Sequence, residues 1–234
     1  MRERIGFLGG TSGIGLAAAK LAAAQGAEVV VGGRSAEGIE RVRQTLAEAR
    51  TVQLDASVED DVRDFFAQAG DLDHVFTTTG GPHYAPFADM DLDEARQAID
   101  ARLRTILFVA RYAPAQMNSR GSLTFMGTTG ARRPTPGLSI TSASNAASEA
   151  LVRSLPVELA PIRVNLIAAG FVDTPLSARL LGDQIENRRR QLESTLPTRH
   201  VTQPEDVAAL ALHLMANPAI TGTTVDIDGG EGLH

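Results

Sequence analysis

Residues 4–19 read Arg4-Ile5-Gly6-Phe7-Leu8-Gly9-Gly10-Thr11-Ser12-Gly13-Ile14-Gly15-Leu16-Ala17-Ala18-Ala19. An apolar run, a glycine turn and an alanine-rich helix opening follow one another without a spacer. The branched and aromatic residues favour a buried strand, and Leu16 to Ala19 favour a helix. Glycine permits the tight turn between them and lets backbone come close to a bound group. Free N–H groups at the helix start, with the positive end of its dipole, stabilise a diphosphate there. A plain strand-to-helix turn could use the same residues, so a second sign is needed.

The next strand supplies it. Counting 24 residues from Gly9 reaches Gly33, followed by Arg34-Ser35. A chain that binds NAD usually carries an acidic group here for the ribose hydroxyls. None is present to repel a 2′-phosphate, and Arg34 offers that phosphate a planar, charge-assisted fork. NADP(H) is therefore favoured over NAD(H), the other reading being an arginine on the exposed entry turn of the following helix.

Short branched runs alternate with stretches of helical period along the rest of the chain, which predicts repeated βαβ units. Strands are expected at 4–8, 27–32, 51–54, 73–77, 121–126, 162–167 and 223–227. Helices are expected at 13–25, 36–49, 58–69, 92–117, 142–159 and 204–216, with a helical insertion at 175–195. The fold class is α/β, a Rossmann-type doubly wound sheet of seven parallel strands with helices on both faces. Pro114 and Pro156 are expected to kink or shorten two of the helices. No linker divides residues 1–234, so one domain is expected, with its ligands at the carboxyl ends of the strands.

Hydrophobic residues make up 43% and charged residues 21% of 234, an ordinary globular composition. With no cysteine, disulfides and thiolate chemistry are excluded, and a cytoplasmic location is expected. The formal charge of −6 argues against nucleic-acid binding, and no apolar stretch approaches the roughly 18 residues of a membrane span. Arg188-Arg189-Arg190 reads as a solvated face rather than a phosphate clamp. His74, His200, His213 and His234 lack metal-ligand spacing.

With these residues in view, the chain resembles the short-chain dehydrogenase/reductase family over nearly its whole length. Gly9, Gly13 and Gly15 have that family's glycine spacing, and Leu54-Asp55-Ala56 resembles its adenine-side stretch. Thr77-Thr78-Thr79-Gly80 stands where the family has Asn-Asn-Ala-Gly. The stretch from Val164-Asn165 to Ala169-Gly170-Phe171-Val172-Asp173-Thr174 resembles its nicotinamide-side loop, and Asp228-Gly229-Gly230 its closing signature. The resemblance implies hydride exchange between NADP(H) and a small-molecule carbonyl or alcohol, in a homodimer or homotetramer. It also implies nucleotide contacts at Gly9, Thr11, Ser12, Gly13, Ile14, Gly15, Gly33, Arg34, Ser35, Asp55, Ala56, Thr78, Thr79, Gly80, Gly170, Val172 and Thr174.

The family's catalytic residues do not carry over. Thr141 stands in place of its tyrosine, Asn145 in place of its lysine, Thr128 in place of its serine and Arg102 in place of its helix asparagine. A phenol with pKa about 10 can be drawn down by a neighbouring ammonium, whereas a threonine cannot be tuned that far. Loss of a positioned general acid typically removes about 10²–10⁴ of rate. His83-Tyr84, beyond the fourth strand, could replace the acid or could be a surface histidine beside a packed tyrosine. Arg132 and Arg133 could bind an acidic substrate or be exposed loop charges. Leu176, Leu180, Leu181 and Ile185 suggest an apolar face that covers a ligand or packs as core.

Three functions stay open on these residues. One is an oxidoreductase acting on a carbonyl, an alcohol or an activated double bond without the usual tyrosine. Another is a non-catalytic NADP(H)-binding sensor or inactive subunit. The third is a non-redox enzyme on the same scaffold.

Overall fold

A computed structural model describes residues 2–132 and 135–233. Its strands are β1 (Arg4–Leu8), β2 (Glu28–Gly33), β3 (Arg50–Gln53), β4 (Leu72–Thr77), β5 (Met117–Thr128), β6 (Arg163–Ala169) and β7 (Thr224–Ile227). Its helices are α1 (Gly13–Ala24), α2 (Ala36–Thr45), α3 (Glu59–Ala69), α4 (Leu92–Tyr112), α5 (Ser139–Glu158), α6 (Pro175–Leu181), α7 (Ile185–Thr195) and α8 (Pro204–Ala216). The strands form one sheet in the order β3-β2-β1-β4-β5-β6-β7, and every pairing is parallel. The chain winds outward from β1 to β3, then returns to lay β4 on the other side of β1. That reversal opens a crevice at the carboxyl ends of β1 and β4.

Strands covered on both faces read as continuous apolar runs, and their side chains divide alternately between two cores. Val30, Val75, Leu123, Val164 and Leu166 pack with Val62, Phe65 and Phe66 of α3, Ile106 and Val109 of α4 and Val152 of α5. Ile5, Phe7, Val29, Val31, Phe76 and Ile167 pack on the opposite face with Ala18, Ala19 and Ala22 of α1 and Val207, Ala208 and Ala211 of α8. The alanines let α1 and α8 lie close together. Each fully buried Phe or Leu contributes about 1.5–3 kcal/mol by leaving water.

Several boundaries differ from the sequence expectation. Helix α4 stops at Tyr112, and Pro114 lies in a 3₁₀ turn spanning Ala113–Gln116. Strand β5 then starts at Met117 rather than 121, because polar, exposed residues 118–120 extend it, Asn118 donating to Asp73 Oδ1 at 2.6 Å. Helix α2 ends at Thr45, whose hydroxyl turns back to the carbonyls of Arg41 and Val42. The insertion at 175–195 is two helices rather than one, broken where Gly182 has φ +50°. Pro156 stays inside α5 near its end, where few ladder bonds remain to be lost.

Candidate functional site

The loop after β1 is held by Gly32, whose carbonyl accepts from the amides of Gly9 (2.9 Å) and Gly10 (3.2 Å). Gly9 has φ +88°, and a Cβ on Gly15 would stand 2.4 Å from the Gly9 carbonyl oxygen and 2.8 Å from Thr78 Oγ1. Side chains are thus excluded where the turn folds onto the start of α1. Ser12 forms no side-chain cap, so the first amides of that helix have no acceptor within the helix. This is a backbone cradle for an anion, and a dinucleotide diphosphate fits its chemistry.

A cleft of about 820 Å³ runs from this cradle along the carboxyl ends of the strands. Gly9, Thr11, Ser12 and Ile14 line it, while Gly13 and Gly15 shape the loop from behind. Gly33, Arg34 and Ser35 form one end, where Ser35 caps α2 through Gly38 N at 3.0 Å. Arg41, which the sequence reading missed, also lines this end, donating to Thr11 O at 3.4 Å and pairing with Glu37 at 3.2 Å. It lies seven residues beyond Arg34, and helical period from the Ser35 cap would have brought it to the same side.

Asp55 and Ala56 line the neighbouring wall. Burial pushes the Asp55 carboxyl up, but hydrogen bonds from the Ser57 amide and hydroxyl, with the charge of Arg34, outweigh it and hold the pKa below 3.8. Thr78, Thr79 and Gly80 line the centre, Thr78 donating to Gly9 O at 3.1 Å. Gly170, Val172 and Thr174 line the far side, where Thr174 caps α6 through Ser177 N at 3.1 Å. Leu176 and Leu180 face the cleft from α6, whereas Leu181 and Ile185 do not line it.

The expected catalytic residues are not all brought together. Thr128 and Tyr84 line the cleft; Thr141, Asn145 and His83 do not. Thr141 is 3% exposed, and its hydroxyl donates to His83 O at 2.8 Å and accepts from His83 N at 3.0 Å. It fastens the loop after β4 to α5 instead of reaching a substrate. Asn145 is fully buried, accepting from Thr128 N at 2.7 Å and donating to Glu149 at 3.0 Å. The Asn145 side chain therefore closes the end of β5. His83 Nε2 is buried without a hydrogen-bond partner, and the ring does not line the cleft.

Tyr84 remains a cleft phenol. It is 57% exposed, and partial desolvation raises its pKa from 10 with the Arg102 charge opposing the rise. Arg102 itself lines the cleft at 7% exposure, donating to Gly80 O at 3.0 Å and Met126 O at 3.2 Å.

Other charges are committed elsewhere. Arg132 pairs with Asp226 at 2.5 Å and Glu149 at 3.1 Å, and Arg133 lies outside the described residues, as does His234. The triplet Arg188-Arg189-Arg190 is more than a solvated face. Arg188 pairs with Glu231 at 2.6 Å and Arg189 grips both oxygens of Asp173, anchoring α7 to the loop after β6. No three potential metal ligands stand together among the described residues. Among them, too, no helix is long and apolar enough to cross a membrane.

A family model described as enoyl-(acyl carrier protein) reductase matches residues 9–231. This chain belongs to the short-chain dehydrogenase/reductase family. Among curated relatives of the family, a short-chain dehydrogenase/reductase, malC, of Malbranchea aurantiaca is 28% identical, covering 96% of this chain and 92% of its own. A cis-4-hydroxycyclohexanecarboxylate dehydrogenase of Sinomonas cyclohexanicum is 32% identical over 97% and 96%. The structure of the M. aurantiaca MalC reductase/Diels-Alderase superposes with a TM-score of 0.91 at 25% identity, covering 100% of this chain and 97% of that one. A small-chain dehydrogenase in complex with NADPH has a TM-score of 0.85 at 28% identity, with both chains fully covered.

Proposed function

We propose that the chain is an NADP(H)-dependent oxidoreductase acting on a small carbonyl, alcohol or activated double bond through an atypical active site. One observation carries this reading: a glycine cradle and two guanidinium groups, Arg34 and Arg41, occupy one end of a cleft whose other end presents Thr128, Tyr84 and Arg102. The NADPH bound to a relative of the same fold supports the choice of nucleotide. When bound, the nucleotide would supply or accept a hydride.

The amides of Thr11 to Gly15 would hold its diphosphate, with Gly9 setting the turn. Arg34 and Arg41 would hold the 2′-phosphate, and Asp55 and Ala56 would border adenine. Thr78, Thr79, Gly80, Gly170, Val172 and Thr174 would border the nicotinamide half. A protonated Tyr84 phenol or water would deliver the proton to substrate, beside the Thr128 hydroxyl. An activated double bond best suits a site without a tuned acid, because its reduction needs no strong donor at the first step. A homodimer or homotetramer in a cytoplasmic setting fits the family and the absence of cysteine.

A second reading, a non-catalytic NADP(H)-binding subunit, is favoured by the commitment of Thr141 and Asn145 to internal hydrogen bonds. NADPH absorbance followed with a panel of ketones, aldehydes and conjugated carbonyl compounds separates the two. Substrate-dependent consumption is expected; binding without consumption across the panel would transfer the case to the second reading. Products formed with no net redox change would instead indicate a non-redox enzyme.

A further inference from the structure

Among the described residues, Arg102 is a buried cation without a counter-ion. Its residue is 7% exposed, and its two hydrogen bonds go to neutral carbonyls, Gly80 O beyond β4 and Met126 O in β5. No carboxylate among the described residues pairs with it, although surface arginines throughout the chain find one. Removing an unpaired charge from water is costly, and guanidinium keeps its charge when buried.

The other buried arginine shows the contrast. Arg163 donates to Leu214 O, Met215 O and Ile220 O, at and just beyond the last turn of α8, where the helix dipole is negative, and it does not line the cleft. Arg102 has no such compensation. Of the five N–H donors of a guanidinium, two are used by these carbonyls, leaving three without an acceptor among the described residues. The group lines the cleft beside Gly80 at its centre, beyond the carboxyl end of β4, and stands apart from Arg34 at the end of β2. Apolar surfaces stand on the same cleft at Phe171, Leu176 and Leu180.

We propose that Arg102 anchors a carboxylate of the substrate, so that the substrates are small apolar carboxylic acids. This rests on the oxidoreductase reading for the chemistry performed on them, but not for the binding itself. A carboxylate supplies the missing negative charge through charge-assisted hydrogen bonds, while its apolar body covers the leucines. The site then needs no acidic residue of its own, and the uncharged analogue of a substrate leaves the cation unpaired.

Calorimetric titration of the whole protein, saturated with NADP, tests the assignment. Benzoate, cyclohexanecarboxylate and hexanoate are each compared with their own primary amide. At least one acid is expected to bind about tenfold or more tightly than its amide. Arg102→Gln should erase that preference, and Arg102→Lys, which keeps the charge without the fork, should retain part of it; melting curves check that both variants fold. Equal or undetectable binding of acid and amide throughout the series overturns the proposal, as does a preference that survives Arg102→Gln. A separate fluorescence titration with NADPH reports on the cofactor reading. If that fails, the acid and amide comparison on nucleotide-free protein still decides the role of Arg102.

Discussion

At the scale of single residues, Arg34 was legible in the sequence because the position after the second strand carries its own chemical expectation. Arg41 was not, since nothing in an amphipathic helix marks one exposed arginine from another. Replacing Arg34 by Ala is expected to weaken NADPH binding by about tenfold or more, the loss of a charge-assisted pair, while sparing NADH. Arg41→Ala should act in the same direction but less, because Arg41 already pairs with Glu37. Fluorescence titrations with both nucleotides measure this, and an equal loss for NADH and NADPH would contradict the phosphate role. The internal hydrogen bonds of Thr141 and Asn145 were not legible in the sequence. A hydrogen bond to a main chain 58 residues away, as between Thr141 and His83, leaves no local pattern.

At the scale of elements, periodicity located all seven strands, because covering on both faces makes the inner ones, such as β1, β2 and β6, nearly continuous apolar runs. It failed where local polar contacts set the boundary, as at residues 118–120 of β5 and at Thr45 of α2. Asn145→Ala leaves the Thr128 amide at the end of β5 without its acceptor, and should reduce unfolding free energy by about 1–3 kcal/mol in urea titrations. An unchanged midpoint would remove the closing role from Asn145.

His74 Nδ1 in β4 meets Ser122 Oγ of β5 at 2.8 Å. Burial, assisted by the charge of Arg163 and opposed by Asp73, pushes its pKa down from 6.5 to about 4. Between those values the unfolded chain binds a proton that the native chain refuses. Stability should therefore fall as pH is lowered through that window, by roughly 3 kcal/mol at full extent. The depressed carboxylates Asp55 and Asp206 add to the loss only below 3.8. A series of urea midpoints across the window tests the slope, and a flat series would show that native His74 takes up its proton as readily as the unfolded chain does.

At the scale of the whole molecule, a ligand that binds only the folded chain stabilises it by mass action. NADPH at a hundred times its dissociation constant should contribute about 2.7 kcal/mol. For a domain of this size that raises the melting temperature by roughly 5–10 °C, with a smaller rise for NADH at equal concentration. No rise with either would remove the nucleotide from the account. The two outermost strands of the sheet, β3 and β7, are four residues each, and β7 is further tied down by the ion pair of Asp226 with Arg132. Brief borders give a stray polypeptide few unpaired amides and carbonyls on which to template, so growth into fibrils from the native state is discouraged by geometry before any chaperone is needed.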